Sequence, residues 1–568
     1  MTQQLPASLH HIRLSKHPPP AGLILKIGVL SRFIQGTYEY LIHVFVFYLQ
    51  DSNNLIVKGA GLVMNFTEIT GMIAGWIWSN GLIYLCLGAG IYFTFLFRVP
   101  QIRLFKDMVK LLLGGKGSAN GVSSFQSFAM ALGGRVGIGN IAGVATAIYF
   151  GGPGAVFWMW LIAFLGAGSA YIESALAQVW KEDVGGEYRG GPAYYMEKGL
   201  RSKPLAILFA IVTVIATGFT GPGVQAFNIA DSAKTAFGIS PVITGLFVAA
   251  FFGFVIFGGV KRIGRMAELL VPFMAVGYIL IALIIFFVNF SQVPAMFGLI
   301  FSSAFNLNAA YGAVFGNAIL WGVRRGLYSN EAGQGTGAQA AGTAEVSHPA
   351  KQGLVQAFSV YVDTLFVCTA TAIMILSTGA YNIVRPNGEY LVENLPGVEG
   401  GTVFAQEAIN TLIPGFGSAF IAISLFFFAF TTLLAFGLYA ETNVAYIFRK
   451  SKKRPAISTI VKIVLILSIF FGSIRSSTAA WNLADIGVGI MAWLNVIVII
   501  LLTKAGLATL RDYEEQKKMG LDPVFIPERC GFKDAEIWND IAEKNYPEQL
   551  AALQQKTGTS HGKHQRKA

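Results

Sequence analysis

Charged residues are scarce in this sequence, and their scarcity indicates the class of protein. Asp, Glu, Lys and Arg make up 13% of the 568 residues, whereas an ordinary soluble domain has about 25%. A soluble fold of this length needs more polar surface than these side chains supply. Apolar residues make up 54%, and the mean hydropathy is +0.57. The composition therefore excludes a soluble enzyme and a disordered protein, and it predicts an all-α polytopic membrane protein.

Cysteine and histidine are also few. The three cysteines, Cys86, Cys368 and Cys530, are too scattered for a disulfide framework or a metal site. The seven histidines lie in predicted tails and loops or in the N-terminal extension, so no nucleophile–base or metal constellation forms. The sequence has no Walker lysine motif, so transport would draw on an ion gradient. These absences predict that the protein is not an enzyme and uses no cofactor other than a coupling ion.

Apolar runs long enough to cross a bilayer recur along the chain. A span needs about 20 mostly apolar residues. We count eleven, at roughly 81–97, 124–150, 155–180, 205–223, 241–259, 266–289, 309–343, 354–378, 416–440, 457–474 and 482–503.

The positive charges orient these spans. The net charge is +12, but most Lys and Arg lie in clusters between apolar runs, so we interpret them as topology signals and expect no nucleic-acid partner. Basic clusters follow the first, third, fifth and ninth spans. The long loop 379–415 has one basic residue, Arg385, and four glutamates. We therefore expect a multi-pass protein of the cell (inner or plasma) membrane, with the N-terminus of its core outside and its C-terminus cytoplasmic.

The two ends of the chain differ from the apolar core. Residues 1–63 include three consecutive prolines and one aromatic-rich run, 33–49, which could be a twelfth span or a surface helix. Met64 leads directly into the first good span, so we expect the 1–63 extension to be dispensable. The transmembrane domain then covers 64–505. We expect 506–568 to be a solvated cytoplasmic tail.

The second span cannot be a plain helix. Residues 133–143 read GGRVGIGNIAG, and each of five glycines there costs up to about 1 kcal/mol in a helix interior. An unwound segment frees backbone carbonyls and amides, which the membrane tolerates only where they line a cavity. Such groups bind cations or carboxylates. The alternative, glycines packed closely against a neighbouring helix, explains only those on one face.

The seventh span has the same character. It places two arginines, Asn330 and Glu331 at membrane depth, followed by three glycines up to residue 337. The second and seventh spans are five apart and would run in opposite directions. Two five-helix repeats of inverted topology would give this arrangement, with the site at their interface.

Four stretches of sequence resemble the alanine or glycine:cation symporter family. The most specific is GGPGAVFWMWLIAFLG at 151–166, and GIGNIAGV at 137–144, GGPAYYM at 190–196 and SNEAG at 329–333 agree with it. The resemblance covers about residues 64–525. It implies a leucine-transporter-like fold, with two inverted five-helix repeats plus one extra N-terminal span, eleven transmembrane helices in all. The 1–63 extension has no counterpart in the family.

The resemblance also implies where sodium, the coupling ion, would bind. In leucine-transporter-like proteins one sodium lies between the first broken helix and the eighth core helix. The matching groups are the carbonyls near Gly133 and Val136, with Phe428, Thr431 and Thr432. Hydroxyl and carbonyl oxygens suit a hard cation. From the sequence alone, the two threonines could equally bond to carbonyls of their own helix.

Asn140 and Asp363 are candidates for a second cation site. Asp363 is a carboxylate within an apolar span, which is a functional hypothesis by default. The alternative is an ion pair with Arg135, Arg324 or Arg325. We expect Glu173 to be structural and Glu331 to cap or brace the second break.

For the amino acid, both breaks offer backbone groups. Candidates at the first break are Gly137, Ile138, Gly139 and Asn140, and candidates at the second are Gly322 and Gly326. Gln225 and Asn228 could face the cavity or lie in a loop.

The leading prediction is sodium-coupled symport of alanine or glycine into the cell by alternating access. One rival is a proton-coupled symporter of the same fold that uses Asp363 or Glu331 as the proton carrier. A glutamine-preferring symporter and a non-transporting sensor are others. The expected partners are a small amino acid, sodium ions and the lipid bilayer, and we expect a monomer.

Overall fold

The computed structural model describes residues 56–59, 62–115, 117–307, 309–475 and 478–558. It divides into two units, residues 1–66 and 67–568. Within the first unit, strands β1 (Ile56–Gly59) and β2 (Leu62–Asn65) form an antiparallel hairpin. The aromatic-rich run 33–49 lies outside the described residues.

The rest of the described chain is almost entirely helical. In chain order the helices are α1 Phe66–Ile77, α2 Asn80–Leu96, α3 Pro100–Arg103, α4 Phe105–Leu112, α5 Ser124–Arg135, α6 Ala142–Gly151, α7 Gly154–Val179, α8 Pro192–Lys198, α9 Lys203–Ile215, α10 Gly221–Phe237, α11 Pro241–Ile256, α12 Gly259–Val288, α13 Val293–Ala304, α14 Phe315–Asn330, α15 Thr336–Ala341, α16 Pro349–Tyr361, α17 Thr369–Thr378, α18 Thr402–Asn410, α19 Phe416–Ile447, α20 Arg454–Ile474, α21 Thr478–Leu501, α22 Thr503–Lys518, α23 Ile537–Asn545 and α24 Pro547–Thr557. Two short hairpins connect helices: β3 (Glu182–Asp183) with β4 (Tyr188–Arg189), and β5 (Asn382–Val384) with β6 (Tyr390–Glu393).

Within these residues, eight continuous helices are long and apolar enough to cross a membrane, and one bent pair makes a ninth. The predicted all-α multi-span architecture is confirmed. The count of eleven transmembrane spans stays a prediction. Helix α11 is apolar but short, and α14 does not combine the length and the apolar composition that a span needs.

The helices differ in how much of their surface faces outward. In the most apolar stretch of α7 and of α19, 72% of the residues are buried inside the protein, so these two helices lie at the centre of the bundle. In α12 and α20 the buried share is 33% and 22%. The exposed sides of these two helices are apolar, as a lipid-facing surface requires.

The predicted break in the second span is confirmed. The axes of Ser124–Arg135 and Ile138–Gly151 differ by 60°. Val136 and Gly137 adopt extended backbone, and a single 3₁₀ turn, Ile138–Asn140, precedes α6. Before the break, Ser123 and Gln126 form a capping box that starts α5.

The second break lies later in the chain than the polar run suggested. Helix α14 continues through both arginines and ends at Glu331, which has left-handed backbone (φ 54°). Gly333 and Gly335 then take φ of 85° and 83°, which favour glycine. Helix α15 starts at Thr336.

Two further spans are locally widened into π-helix. One π segment, Ala216–Thr220, joins α9 to α10, and the other, Val362–Cys368, joins α16 to α17. Such segments often occur at functional sites. The second contains Asp363, the buried carboxylate singled out from the sequence.

The C-terminal tail is packed against the bundle, so the expectation of a solvated tail is wrong. Trp538 is fully buried, and its ring nitrogen donates to the carbonyls of Gln178 (3.1 Å) and Val179 (3.2 Å) at the end of α7. The Phe525 amide donates to the Ser347 carbonyl at 2.8 Å. The apolar residues of the tail are needed to cover these helix ends.

Candidate functional site

The oxygens predicted for the first cation site come together. The Thr432 hydroxyl lies 3.0 Å from the Gly133 carbonyl, 3.5 Å from the Val136 carbonyl and 3.0 Å from the Phe428 carbonyl. Gly133 and Val136 belong to the first break, whereas Phe428 and Thr432 lie on α19. The carbonyl of Val136 is available because the extended backbone there ends the α5 hydrogen-bond ladder.

Thr431 plays a different part from its neighbour. Its hydroxyl donates to the carbonyls of Phe427 (3.1 Å) and Phe428 (2.9 Å) in its own helix. The alternative of back-bonding is thus realised at both threonines. Thr431 packs against Gly133 through its Cβ, but among the described residues only the Thr432 hydroxyl of the pair hydrogen-bonds to carbonyls of that segment.

A second cluster surrounds Asp363. The fully buried carboxylate accepts hydrogen bonds from Asn140 Nδ2 (2.7 Å), Ser329 Oγ (2.9 Å) and Thr364 Oγ1 (2.7 Å). These donors come from the first break, the end of α14 and the π segment. Among the described residues no arginine lies within 4.0 Å of Asp363, so the predicted alternative of an ion pair is not realised.

Asn140 fixes the backbone of the first break as well as contacting Asp363. Its side-chain oxygen accepts from the Gly137 amide at 2.9 Å, and its carbonyl accepts from Thr371 Oγ1 at 2.7 Å. Because one residue makes all three contacts, the positions of the break and of the π-containing helix depend on each other.

The substrate candidates at the first break lie beside the first cation cluster. A Cβ atom on Gly137 would lie 2.6 Å from Thr432 Oγ1 and 3.6 Å from Gln225 Oε1, so only glycine fits. Ile138 is buried in the 3₁₀ turn. A Cβ on Gly139 would lie 3.3 Å from the Tyr328 ring, so this glycine packs against the end of α14.

Gln225 and Asn228 are both helical, on α10. The Gln225 side chain is buried, and its Oε1 has no hydrogen-bond partner among the described residues. A buried acceptor without a partner is costly unless a ligand or water supplies a donor. Asn228 is half-buried and donates to the Val224 carbonyl of its own helix at 2.8 Å. Gln225 is therefore the better candidate of the two.

The prediction that Gly322 and Gly326 lie at the second break is wrong. Both lie inside α14, several residues before the break, and not at it as the sequence suggested. A Cβ on Gly326 would lie 2.5 Å from Ile162 and 3.3 Å from the Met159 Cα, and Gly322 contacts the Ala155 carbonyl of the same helix, α7. These glycines allow close helix packing and do not expose backbone at the second break.

Side chains from two helices brace the second break. Glu173 on α7 accepts from the Gly335 amide (3.0 Å) and from Asn495 Nδ2 (2.9 Å). Asn495, on α21, also donates to the Gly333 carbonyl at 2.9 Å. Glu173 thus holds the backbone of the second break, which is the structural position expected from the sequence. Glu331 lies at the break itself, but no arginine is within 4.0 Å of it among the described residues.

The family model of the sodium:alanine symporter family matches residues 63–527. The chain belongs to this family. It is 56% identical over 470 residues to the putative sodium/proton-dependent alanine carrier protein YrbD of Bacillus subtilis, covering 83% of this chain and 96% of that one. Over 461 residues it is 43% identical to the probable sodium/glutamine symporter GlnT of the same organism, with 81% and 93% covered. It is 36% identical to the sodium/alanine symporter AgcS of Methanococcus maripaludis, with 80% and 99% covered.

Among solved structures the symporter is similar to MhsT in complex with L-phenylalanine, with 16% identity, a TM-score of 0.46 and coverage of 77% of this chain and 98% of that one. The predictions of a multi-span helical membrane protein, of the family and of a transporter that is not an enzyme are confirmed, and the leucine-transporter-like arrangement of the helices stays a prediction. Sequence reasoning did not assign Ser329 or Thr364 to the site. Ser329 belongs to the SNEAG stretch used for recognition, so its position beside the break was a usable signal.

Proposed function

We propose that this protein carries a small neutral amino acid, alanine or glycine, into the cell together with sodium by alternating access. The observation that supports this most directly is the Thr432 hydroxyl, which contacts backbone carbonyls of the first break from α19. A cation bound among these oxygens would hold the two elements together, and its release would let them separate.

The oxygen set suits sodium. Three carbonyls and a hydroxyl are hard, neutral ligands, which a monovalent cation can bind without a strong competing negative charge. Carbonyls exposed at unwound helix segments coordinate sodium in transporters with interrupted helices.

Two features support a small substrate. Gly137 leaves no room for a Cβ atom, so the backbone can approach a ligand closely there. Gln225 contributes a buried acceptor that the ammonium group of an amino acid could satisfy. YrbD, described as a putative sodium/proton-dependent alanine carrier, is 56% identical to this chain, whereas the probable sodium/glutamine symporter GlnT is 43% identical.

Asp363 supplies the negative charge for a second coupling ion. Its hydrogen-bond partners are neutral side chains, and no arginine in the described part of the chain forms a direct ion pair with it. A bound cation is expected at such a carboxylate. A proton in place of sodium is the second candidate, because YrbD is described as sodium/proton-dependent.

We assign the ends of the spans by the positive-inside rule. The basic clusters after residues 97, 180, 259 and 448 lie on the inner side in this assignment, so the C-terminus is cytoplasmic and uptake is inward.

Uptake of labelled alanine into proteoliposomes tests this function. We expect uptake with an inward sodium gradient alone, and little with a proton gradient alone. Uptake driven equally by protons without sodium would support the second candidate. Asp363→Asn should abolish uptake under either gradient, whereas Asp231→Asn, at an exposed position on α10, should leave it unchanged. Normal sodium-driven uptake by Asp363→Asn would contradict the proposed role.

A further inference from the structure

A cavity of about 670 Å³ lies where α19 ends and α20 begins. This volume falls within the ~300–1,000 Å³ typical of ligand sites. One wall is the β3–β4 hairpin region, and the other is the loop between the two helices. The lining residues are Glu182, Asp183, Val184, Gly185, Arg449, Lys450, Ser451, Lys452, Arg454 and Pro455.

The acidic side chains of this cavity already have partners. Glu182 pairs with Lys198 (3.0 Å) and with Arg449 (3.5 Å). Asp183 accepts hydrogen bonds from the Asn120 side chain and from the Gly186 amide at 2.8 Å. The charge of Glu182 is therefore compensated by two cations, and the Asp183 carboxylate is held in place by two neutral donors.

The basic side chains are in the opposite situation. In the described part of the chain, no carboxylate lies within 4.0 Å of Lys450, Lys452 or Arg454. Both lysines are exposed, and Arg454 lies against Gly185, whose missing side chain makes room for the guanidinium. Three cations in one short loop repel one another, and an anion among them would relieve that repulsion.

The position of the cavity indicates the kind of anion. Because α19 and α20 are spans, the loop between them lies at the level of the lipid headgroups. The adjacent side of α20 exposes Ile460 (56%) and Ile463 (47%), and Phe257 at the end of α11 is 52% exposed. Lys462, which lies about two turns into α20 and pairs with Glu441, lies over the Phe257 ring at 5.8 Å, so the first turns of α20 and the end of α11 form one apolar surface.

We propose that this cavity binds the phosphate-bearing headgroup of an anionic phospholipid, with the acyl chains along the exposed apolar side of α20. Arginine and lysine are the side chains that recognise phosphate oxygens. Basic pockets between membrane helices bind anionic headgroups in the same way. A free phosphate could satisfy the charges but would leave the apolar side of α20 uncovered.

An ion pair also links the cavity to α19, the helix that carries Thr431 and Thr432. Arg449, at the start of the loop, pairs with Glu197 at 2.7 Å, and Glu197 also accepts from the Tyr446 hydroxyl at 2.6 Å. A headgroup bound to the loop would stabilise this end of α19 against the segment that contains α8.

Lipid binding by the purified full chain in detergent tests the proposal. We expect phosphatidylglycerol to remain bound in native mass spectra and to raise the melting temperature. Phosphatidylcholine and inorganic phosphate at the same concentration should do neither. In Lys450→Gln/Lys452→Gln the affinity for phosphatidylglycerol should fall about 25-fold, since each lysine beside an anionic lipid contributes about fivefold.

The matched control is Lys106→Gln/Lys110→Gln, which removes two exposed lysines of α4 that do not line the cavity. This variant should bind phosphatidylglycerol as the unchanged chain does. Equal losses in both variants would mean general surface attraction and would overturn the proposal. Stabilisation by inorganic phosphate as strong as by lipid would also overturn it, in favour of a free-anion site. Both variants change exposed side chains, so their melting temperatures without lipid should match the parent, which makes the lipid readout interpretable.

Discussion

At the scale of single residues, the Thr432 hydroxyl is shared between two structural elements. It hydrogen-bonds to carbonyls of the first break and of its own helix, whereas the hydrogen bonds of the Thr431 hydroxyl in the described structure go to its own helix and to the Met274 sulfur. Adjacent residues of the same type therefore provide a built-in comparison for the cation cluster.

We expect Thr432→Val to raise the sodium concentration for half-maximal uptake by about tenfold, because one lost ligand costs about 1–1.5 kcal/mol. Thr431→Val should have a smaller effect. The measurement is alanine uptake as a function of sodium, with Thr146→Val as a control, since Thr146 bonds only to the Ala142 carbonyl of α6. An unchanged sodium dependence in Thr432→Val would remove this hydroxyl from the site.

A related prediction concerns the contact between Gly137 and Thr432. The Cβ of Gly137→Ala would lie 2.6 Å from Thr432 Oγ1, so the hydroxyl must move away. The variant should show the weaker sodium dependence expected for Thr432→Val. Gly143→Ala is the matched control, because its Cβ would have an ordinary 3.9 Å contact with Arg325. Similar sodium titrations for the two alanine variants would contradict the contact.

The sequence pointed to groups that lie together in the first cluster because these groups follow a local motif and a threonine pair. It could not identify Thr364, since a hydroxyl next to a buried aspartate has no distinctive spacing. It misplaced Gly322 and Gly326 because glycine serves both close packing and unwinding, and only the neighbouring helix distinguishes these uses. The role of each residue in binding stays a prediction.

At the scale of elements, the contact between α14 and α7 depends on glycine. Gly326→Ala should lower the melting temperature by several degrees, since overpacking a buried contact costs about 1–3 kcal/mol. The apparent affinity of the surviving protein for alanine should stay normal. Gly316→Ala, on the same helix with open space around its Cβ, is the control. A stable Gly326→Ala with weakened alanine binding would return this residue to the substrate site.

The docked tail covers a buried lysine that follows α7. Lys181 lies between the rings of Tyr188 (4.3 Å) and Trp538 (4.5 Å) and donates to the Ala344 carbonyl. Burial lowers the pKa of Lys181 to about 7, although the nearby Glu345 charge opposes this. An unfolded or released chain would hold the lysine proton up to its ordinary pKa of about 10.4.

This shift makes tail docking depend on pH. Between about pH 7 and 10 the undocked state binds more protons, so docking should strengthen as the pH rises, by up to about 1.4 kcal/mol per unit. Limited proteolysis of the tail at pH 7 and pH 9 measures this. Lys181→Met should remove the pH dependence, and equal dependence in both proteins would contradict the assignment.

At the scale of the whole molecule, the described chain is a family domain with an extension before it. The family model begins to match at residue 63, and the first unit ends at residue 66. A chain that starts at Met64 should insert and take up alanine as the full chain does, because the spans and both clusters follow this residue. Measuring uptake per inserted molecule checks this. Loss of folding or uptake would show that the extension is structural and that the topology needs a twelfth element.

The sequence predicted the membrane class, the first break and the family because these depend on composition, local glycine content and specific motifs. It did not predict the docking of the tail, because residues 519–558 are polar on average and the sequence does not show which helix ends the buried residues of the tail contact. The hydrogen bonds between Trp538 and the end of α7 span about 360 positions, and no local pattern records such a contact.

The packed tail also determines the order in which the protein can be completed during synthesis. A chain is made from its N-terminus, so every span and both clusters exist before Trp538 leaves the ribosome. Until then, the end of α7 and the carbonyl of Ser347 lack the partners that the tail supplies. A chain cut short after residue 518 would contain every span and both clusters. The apolar surface around Lys181, which Trp538 covers in the full chain, would be exposed. Residues 519–558 thus cover a surface that is exposed in any chain cut before them, and quality-control proteases could recognise that surface.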